Sequence, residues 1–121
     1  LSCPEDNKLS LRFAGLLYGQ IKGDICSSTG IFTGADVAKM ILAGAKCVQV
    51  VSTIYKNKIE YLKTIVSDLN SWMESKGYSK IDNFRGKLSN KNINDPFVYK
   101  RAQYIDLLLK SDKIFKKYPL Y

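Results

Sequence analysis

Histidine is absent from the 121 residues. That excludes an imidazole general base, a serine–histidine triad and the His-containing zinc sets. Cysteine is scarce: Cys3, Cys26 and Cys47 stand alone, without the close pairs of a metal knuckle or a disulfide framework. An odd number of isolated cysteines points to a reducing, cytoplasmic setting. Cys26 and Cys47 fall in predicted strands, so both are expected as buried thiols, and a strand-buried thiol makes a poor nucleophile. Acidic residues are fewer than basic ones, 11 against 19, and no two carboxylates sit at a spacing that suggests joint acid–base work. No catalytic residue and no metal site is therefore assigned. No apolar run approaches the roughly 18 residues of a membrane span, so no membrane partner is expected. The opening Leu1-Ser2-Cys3-Pro4 lacks the basic start and apolar middle of a signal peptide. It also lacks an initiator methionine, and the chain is read as an internal piece or a processed product.

What is present is a globular composition, 45% hydrophobic and 25% charged, of a size that gives one core. The formal charge is +8, and it is uneven. Residues 1–55 carry five Lys/Arg and four Asp/Glu, whereas residues 56–121 carry fourteen and seven. Such a balance suits an anionic partner, but it equally describes a solvated lysine-rich surface. The basic stretches lack interleaved stacking aromatics, so nucleic acid is not an expected partner.

The stretch Asp24–Tyr55 organises the chain. Around Ile25–Ser28 a short strand turns into the loop TGIFTG. Thr33 is placed to cap a helix, with Asp36 three residues on as its capping-box acid. Val37, Met40, Ile41 and Ala45 follow at helical spacing, and Gly44 marks the helix end. Val48, Val50 and Val51 then form a β-branched run expected to be a strand buried on both faces, ended by Ser52 and Thr53. Strand–helix–strand with a short crossover is the parallel βαβ unit. Both strands end in small hydroxyl residues on one sheet edge, where α/β folds place ligands. Thr29-Gly30-Ile31 and Val51-Ser52-Thr53 together suit a phosphate; the same residues also suit ordinary turns and caps.

Around this unit, residues 1–9 read as an irregular lead-in, and Ser10 as the cap of a short helix that stops at Gly19. Residues Asn57–Lys76 read as one amphipathic helix with Ile59, Leu62, Ile65, Val66, Leu69, Trp72 and Met73 on its stripe. A one- or two-turn helix is expected after Ser79, ending near Phe84 or Arg85, then the polar, turn-rich segment GKLSNKNIN, then a helix from Pro96 to about Lys110 capped by Asp95. Two strands do not complete a domain, so further strands are expected from elsewhere.

The motif order resembles a known family. SSTGIFTGADVAKMILAGAKCVQVVSTIYKN is similar to the segment of dihydroorotate dehydrogenases spanning strands seven and eight of their barrel. There a TGG-type loop precedes a helix with an ILAGA-like end and a VQVGTA-like strand. MESKGYSKIDNFRGKLS looks like the C-terminal part of the soluble class 1 enzymes. LSLRFAGLLYG is similar to the helix before strand seven, and SNKNINDPFVYKRAQYIDLL to an extension in bacterial dehydrogenase-like proteins. The resemblance implies an α/β chain that is the C-terminal portion of an FMN-binding (β/α)₈ barrel. Residues 1–90 would be barrel and 91–121 a helical extension and tail. It implies FMN as cofactor and dihydroorotate or a similar molecule as substrate. It also implies the remainder of the barrel as an upstream partner, and a homodimer. Carried over by position, the FMN phosphate would meet Thr29, Gly30 and Ile31 in the first loop and Val51 and Ser52 in the second. Thr29 replaces the first glycine of TGG, and Val51 replaces the glycine of VQVGTA. The rival expectation is a non-catalytic module, derived from a barrel end, that binds a phosphate ligand or serves assembly.

Overall fold

A computed structural model describes residues 1–93. The helix expected from Pro96 and the tail lie outside the described residues, as does the extension beyond residue 93. In chain order the elements are a 3-10 turn Pro4–Asp6, α1 (Asn7–Leu17), β1 (Cys26–Ser28), α2 (Gly34–Ala43), β2 (Cys47–Gln49), α3 (Ser52–Asn57), α4 (Tyr61–Ser75) and a 3-10 turn Ile81–Asn83. The class is α/β.

The central βαβ unit forms as expected. β1 and β2 pair in parallel, with Cys26 opposite Cys47, Ser27 opposite Val48 and Ser28 opposite Gln49. The helix between them starts on a complete capping box. Thr33 Oγ1 accepts from the Asp36 N–H at 3.2 Å, and the Asp36 carboxylate accepts from the Thr33 and Phe32 N–H groups at 3.1 Å each. Asp36 also receives the amide of Asn7 at 3.3 Å, which links α2 to the start of α1. The Lys39 ammonium faces solvent and pairs with Asp36 at 3.6 Å. Gly44 ends α2 at φ +126°.

Three readings of local structure change. The lead-in is not irregular: Pro4 opens a turn that runs straight into α1, and the Asp6 carboxylate holds the Cys3 N–H at 2.7 Å. Ser10 therefore lies inside α1 and caps nothing. Its hydroxyl donates instead to the Ser28 carbonyl, fastening α1 to the end of β1. The long helix from Asn57 is two helices. α3 begins at Ser52, and Lys58 at φ +67° breaks the path before α4. That break turns the row of Leu62, Ile65, Leu69, Trp72 and Met73 onto the core, while Ile59 and Val66 stay exposed.

Within the described residues the second strand is covered on one face only, not on both as expected. Side chains alternate across a strand. Ser27 is buried, and Val48 packs against the core on the helical side. Cys26, Cys47 and Gln49 are exposed on the other face. The thiols expected in the interior are thus open, because among the described residues no element covers that face. Val51 is exposed too, since the chain has already left the sheet there to enter α3.

The core lies between α2 and α4. Ile31, Val37, Met40, Ile41, Ala45, Ile65, Met73 and Phe84 make it, with Met40 and Phe84 wholly buried. Each of these side chains except that of Ala45 contributes about 1.5–3 kcal/mol by leaving water. Gly34 sets the approach of the two helices: a Cβ there would lie 2.5 Å from the Leu69 nitrogen and 2.6 Å from Asp68 Cβ. Trp72, Tyr78 and Phe84 form an aromatic cluster with centroids 5.0–6.0 Å apart.

The FRGKLSN stretch is a strap. Helix ends leave carbonyls without intrahelical partners. Gly86 and Leu88 N–H donate to the Ile41 and Leu42 carbonyls at 2.9 Å each, and Arg85 Nε donates to the Ala45 carbonyl at 3.2 Å. Asn90 N–H then reaches the Gly15 carbonyl in α1 at 2.8 Å. The strap satisfies the end of α2 and carries the chain across to α1.

Candidate functional site at the strand ends

β1 and β2 point their C-terminal ends the same way, so the loops that follow them meet. Between them lies a small pocket of about 190 Å³, lined by Ser2, Ser28, Thr29, Gly30, Ile31, Gln49, Val51 and Ser52. All five residues singled out in the sequence (Thr29, Gly30, Ile31, Val51 and Ser52) line this one pocket. It is smaller than the roughly 300–1,000 Å³ of a typical small-molecule site, a size for one end of a ligand. A larger hollow of about 620 Å³ shares Thr29 with it and is lined by Glu5, Asp6, Lys8 and Arg12 among others.

The backbone of the first loop is unusual. Thr29 adopts φ +81° and Gly30 φ +71°. A β-branched residue in the left-handed region is a genuine outlier, and such strain clusters where a loop's shape has a task. Gly30 is held by space as well as by φ. A Cβ on it would come within 2.5 Å of the Asn7 nitrogen and 2.8 Å of the Cys3 carbonyl oxygen.

Ser2 joins the two loops. Its hydroxyl accepts from the Gly30 N–H at 3.1 Å and lies 2.9 Å from Ser52 Oγ, while its own N–H donates to Ser52 Oγ at 2.8 Å. Ser52 is buried, and Thr53 behind it is wholly buried with Oγ1 accepting from Asn57. The second loop is therefore rigidly placed. No charged side chain lines the pocket. Its recognition groups are hydroxyls, the Gln49 amide and main chain, so an anion there would be held by neutral donors in a partly dry setting.

Sequence reasoning missed Ser2 and Gln49. Ser2 looked like part of a loose lead-in, and only the fold brings it 50 positions along the chain to Ser52. Gln49 interrupts an apolar strand, which was a signal that one side of that position is not buried in hydrocarbon.

Comparison with known proteins adds the family. The model described as Dihydroorotate dehydrogenase matches residues 1–73, from the lead-in that holds Ser2 to Met73 in the last turn of α4. The chain belongs to the dihydroorotate dehydrogenase family. Among its relatives, "Probable dihydroorotate dehydrogenase A (fumarate)" of Streptococcus pneumoniae (strain ATCC BAA-255 / R6) is 39% identical over 64 residues, 53% of this chain and 21% of the relative. "Dihydroorotate dehydrogenase (fumarate)" of Saccharomyces mikatae is 35% identical over 74 residues, 60% of this chain and 24% of the relative. "Probable dihydroorotate dehydrogenase A (fumarate)" of Enterococcus faecalis (strain ATCC 700802 / V583) is 37% identical over 76 residues, 63% and 24%. The chain thus spans about a fifth to a quarter of the length of these curated relatives. The family match contains every residue of the strand-end pocket. It ends before the FRGKLSN strap, whose role in closing α2 is seen from the fold. Among the described residues no group of three or more metal-ligating side chains occurs, and no helix is long and apolar enough to cross a membrane.

Proposed function

We propose that this chain is the phosphate-binding end of an FMN-dependent oxidoreductase of the dihydroorotate dehydrogenase type, acting in pyrimidine biosynthesis. The observation that carries the reading is the single pocket formed by Thr29, Gly30, Ile31, Val51 and Ser52 at the ends of two parallel strands. In (β/α)₈ barrels the loops after strands seven and eight are the common phosphate site, and β1 and β2 take those two places in this reading. The open sheet face then becomes the inner wall of the barrel. The remaining strands come from polypeptide outside this chain, which fits its coverage of only 21–24% of the relatives above. The work is placed in the cytoplasm, in keeping with three free thiols.

The residues present suit a phosphate ester. The pocket is small, hydroxyl-rich and shaped by two successive positive-φ residues. Ser2, Thr29 and Ser52 hydroxyls would turn toward phosphate oxygens, and the main chain at Gly30, Ile31 and Val51 would supply further contacts. FMN, when bound, supplies the hydride acceptor for oxidation of dihydroorotate to orotate. This chain's part is to fix one end of that cofactor and exclude water from the strand ends. The base that removes the substrate proton lies outside these residues.

The test is flavin binding followed by fluorescence, with FMN and riboflavin compared and inorganic phosphate as competitor. FMN is expected to bind, phosphate to compete, and riboflavin to bind at least tenfold more weakly, because it lacks the group the pocket holds. Equal binding of FMN and riboflavin, or a protein carrying the whole barrel that stays colourless after FMN reconstitution, overturns the reading.

A further inference from the structure

A second hollow lies where β1 and β2 begin, at the opposite end of the strands from the pocket. Its volume is about 350 Å³, within the range of small-molecule sites. Three cations from separate stretches of chain line it: Lys46 just before β2, and Arg85 and Lys91 from the strap and its end. Arg85 is only 21% exposed and is held in place, with Nε donating to the Ala45 carbonyl at 3.2 Å and Nη1 bound to Asp82. Among the described residues its Nη2 makes no hydrogen bond. Lys91 folds over Gly19, where an added Cβ would lie 2.5 Å from its Cδ and 3.3 Å from its Nζ. The Tyr18 ring forms a fixed wall, set against Gly44 and Gly86 so closely that a Cβ on either would fall 2.4 Å or 2.3 Å from it. The neighbouring acids do not neutralise the hollow from within. Asp24 pairs with Lys46 at 3.0 Å and Asp82 with Arg85, but these carboxylates are 71% and 78% exposed, and surface pairs of this kind are weak. Further strands would pair beside β1 and β2 or pack on their open face, and neither closes the end where strands begin.

We propose that Lys46, Arg85 and Lys91 bind a small phosphate dianion, free or as a terminal monoester, at a site separate from the strand-end pocket. The donor set decides the class. A guanidinium fork matches phosphate oxygens, and two ammonium groups supply point charges around it. The strand-end pocket offers neutral donors, whereas this hollow offers cations. Arg85 and Lys91 come from the strap region and Lys46 from the sheet, so a bound dianion ties the two together. The strap closes the end of α2, and a ligand held only by the folded chain stabilises that closure.

The experiment is a two-dimensional ¹H–¹⁵N NMR titration of the full chain with inorganic phosphate just above neutral pH, at ionic strength held constant with sodium chloride. The Gly19, Gly44 and Lys46 amides are expected to move together along one saturable curve. The Gly30 amide reads the strand-end pocket on its own curve. Lys46→Gln combined with Lys91→Gln is expected to weaken the first curve by about tenfold or more and to leave Gly30 as in wild type. Lys63→Gln removes a charge on α4 and is expected to change neither. Signal dispersion confirms that the variants fold. Glycerol phosphate, a monoester, is expected to follow inorganic phosphate. Dimethyl phosphate, a monoanionic diester like a nucleic-acid backbone, is expected to bind about tenfold more weakly or worse. Shifts confined to Gly30, or a double variant that binds as wild type does, overturn the site. A diester that binds as tightly as the monoester overturns its class.

Discussion

Thr29 holds the first loop in a conformation that its own side chain opposes. Left-handed backbone costs an L-residue with a Cβ about 1–2 kcal/mol, and glycine escapes that cost. Thr29→Gly is therefore expected to raise stability by up to about 1 kcal/mol, after the extra chain entropy of glycine is subtracted; urea denaturation reads this as a higher midpoint at unchanged slope. Gly30 is the reverse case. Gly30→Ala would bring a Cβ against Asn7 and the Cys3 carbonyl at φ +71°, with an expected loss of about 1–3 kcal/mol and of FMN binding in the same titration. At Cys26 the neighbouring Cys47 thiol, through its hydrogen bond, and then partial desolvation hold the thiol above its usual range. The thiolate is the nucleophile, so Cys47→Ala is expected to speed alkylation of Cys26 at mildly alkaline pH. An unchanged or slower rate, followed by peptide mass spectrometry, would contradict that origin of the shift.

At the scale of the element, α2 is fixed at both ends by different means. Its start is local: Thr33 and Asp36 cap one another within a single turn. Thr33→Ala is expected to cost about 1 kcal/mol, the usual worth of an N-cap, while Asp36→Ala costs more because three main-chain and amide donors lose their acceptor. The thermal midpoints of the two variants order these effects. The end of α2 is non-local, closed by the strap from Arg85 to Asn90. Composition alone described that strap as polar and turn-rich, which is accurate and says nothing about where its N–H groups go. The same division explains the misread helix. Helical periodicity runs through Asn57 and Tyr61 alike, but Lys58 adopts a positive φ that no local preference of lysine calls for. The packing of Ile65 and Met73 against α2 outweighs it.

For the whole molecule, the distribution of charge and the position of the pocket separate two kinds of anion binding. The chain carries +8 overall, yet no charged side chain lines the strand-end pocket. FMN held there by neutral donors is expected to weaken by roughly threefold or less between 50 and 200 mM salt, whereas a nucleic acid gripped by many lysines loses about 10³–10⁵ over that range. Isothermal titration at the two salt concentrations distinguishes them. The pocket opens on the face of the sheet turned away from the helical core, where parallel register places Ser28 beside Gln49.

The sequence by itself determined the βαβ unit, the α2 capping box and the glycine stops. These follow from short-range rules: side-chain period, cap chemistry and the conformational freedom of glycine act within a few residues. The motifs of the same stretch also carried the family, and with its resemblance the five residues that line the pocket. Tertiary structure alone decided that Ser2 fastens the two loops, that Ser10 holds β1, that a lysine breaks the helix, and that both strand cysteines lie on the sheet face turned away from the helical core. Each of these depends on which distant surface a side chain meets. Burial of a two-stranded sheet in particular is a property of what packs on each face, and a β-branched run reports the strand without reporting its cover.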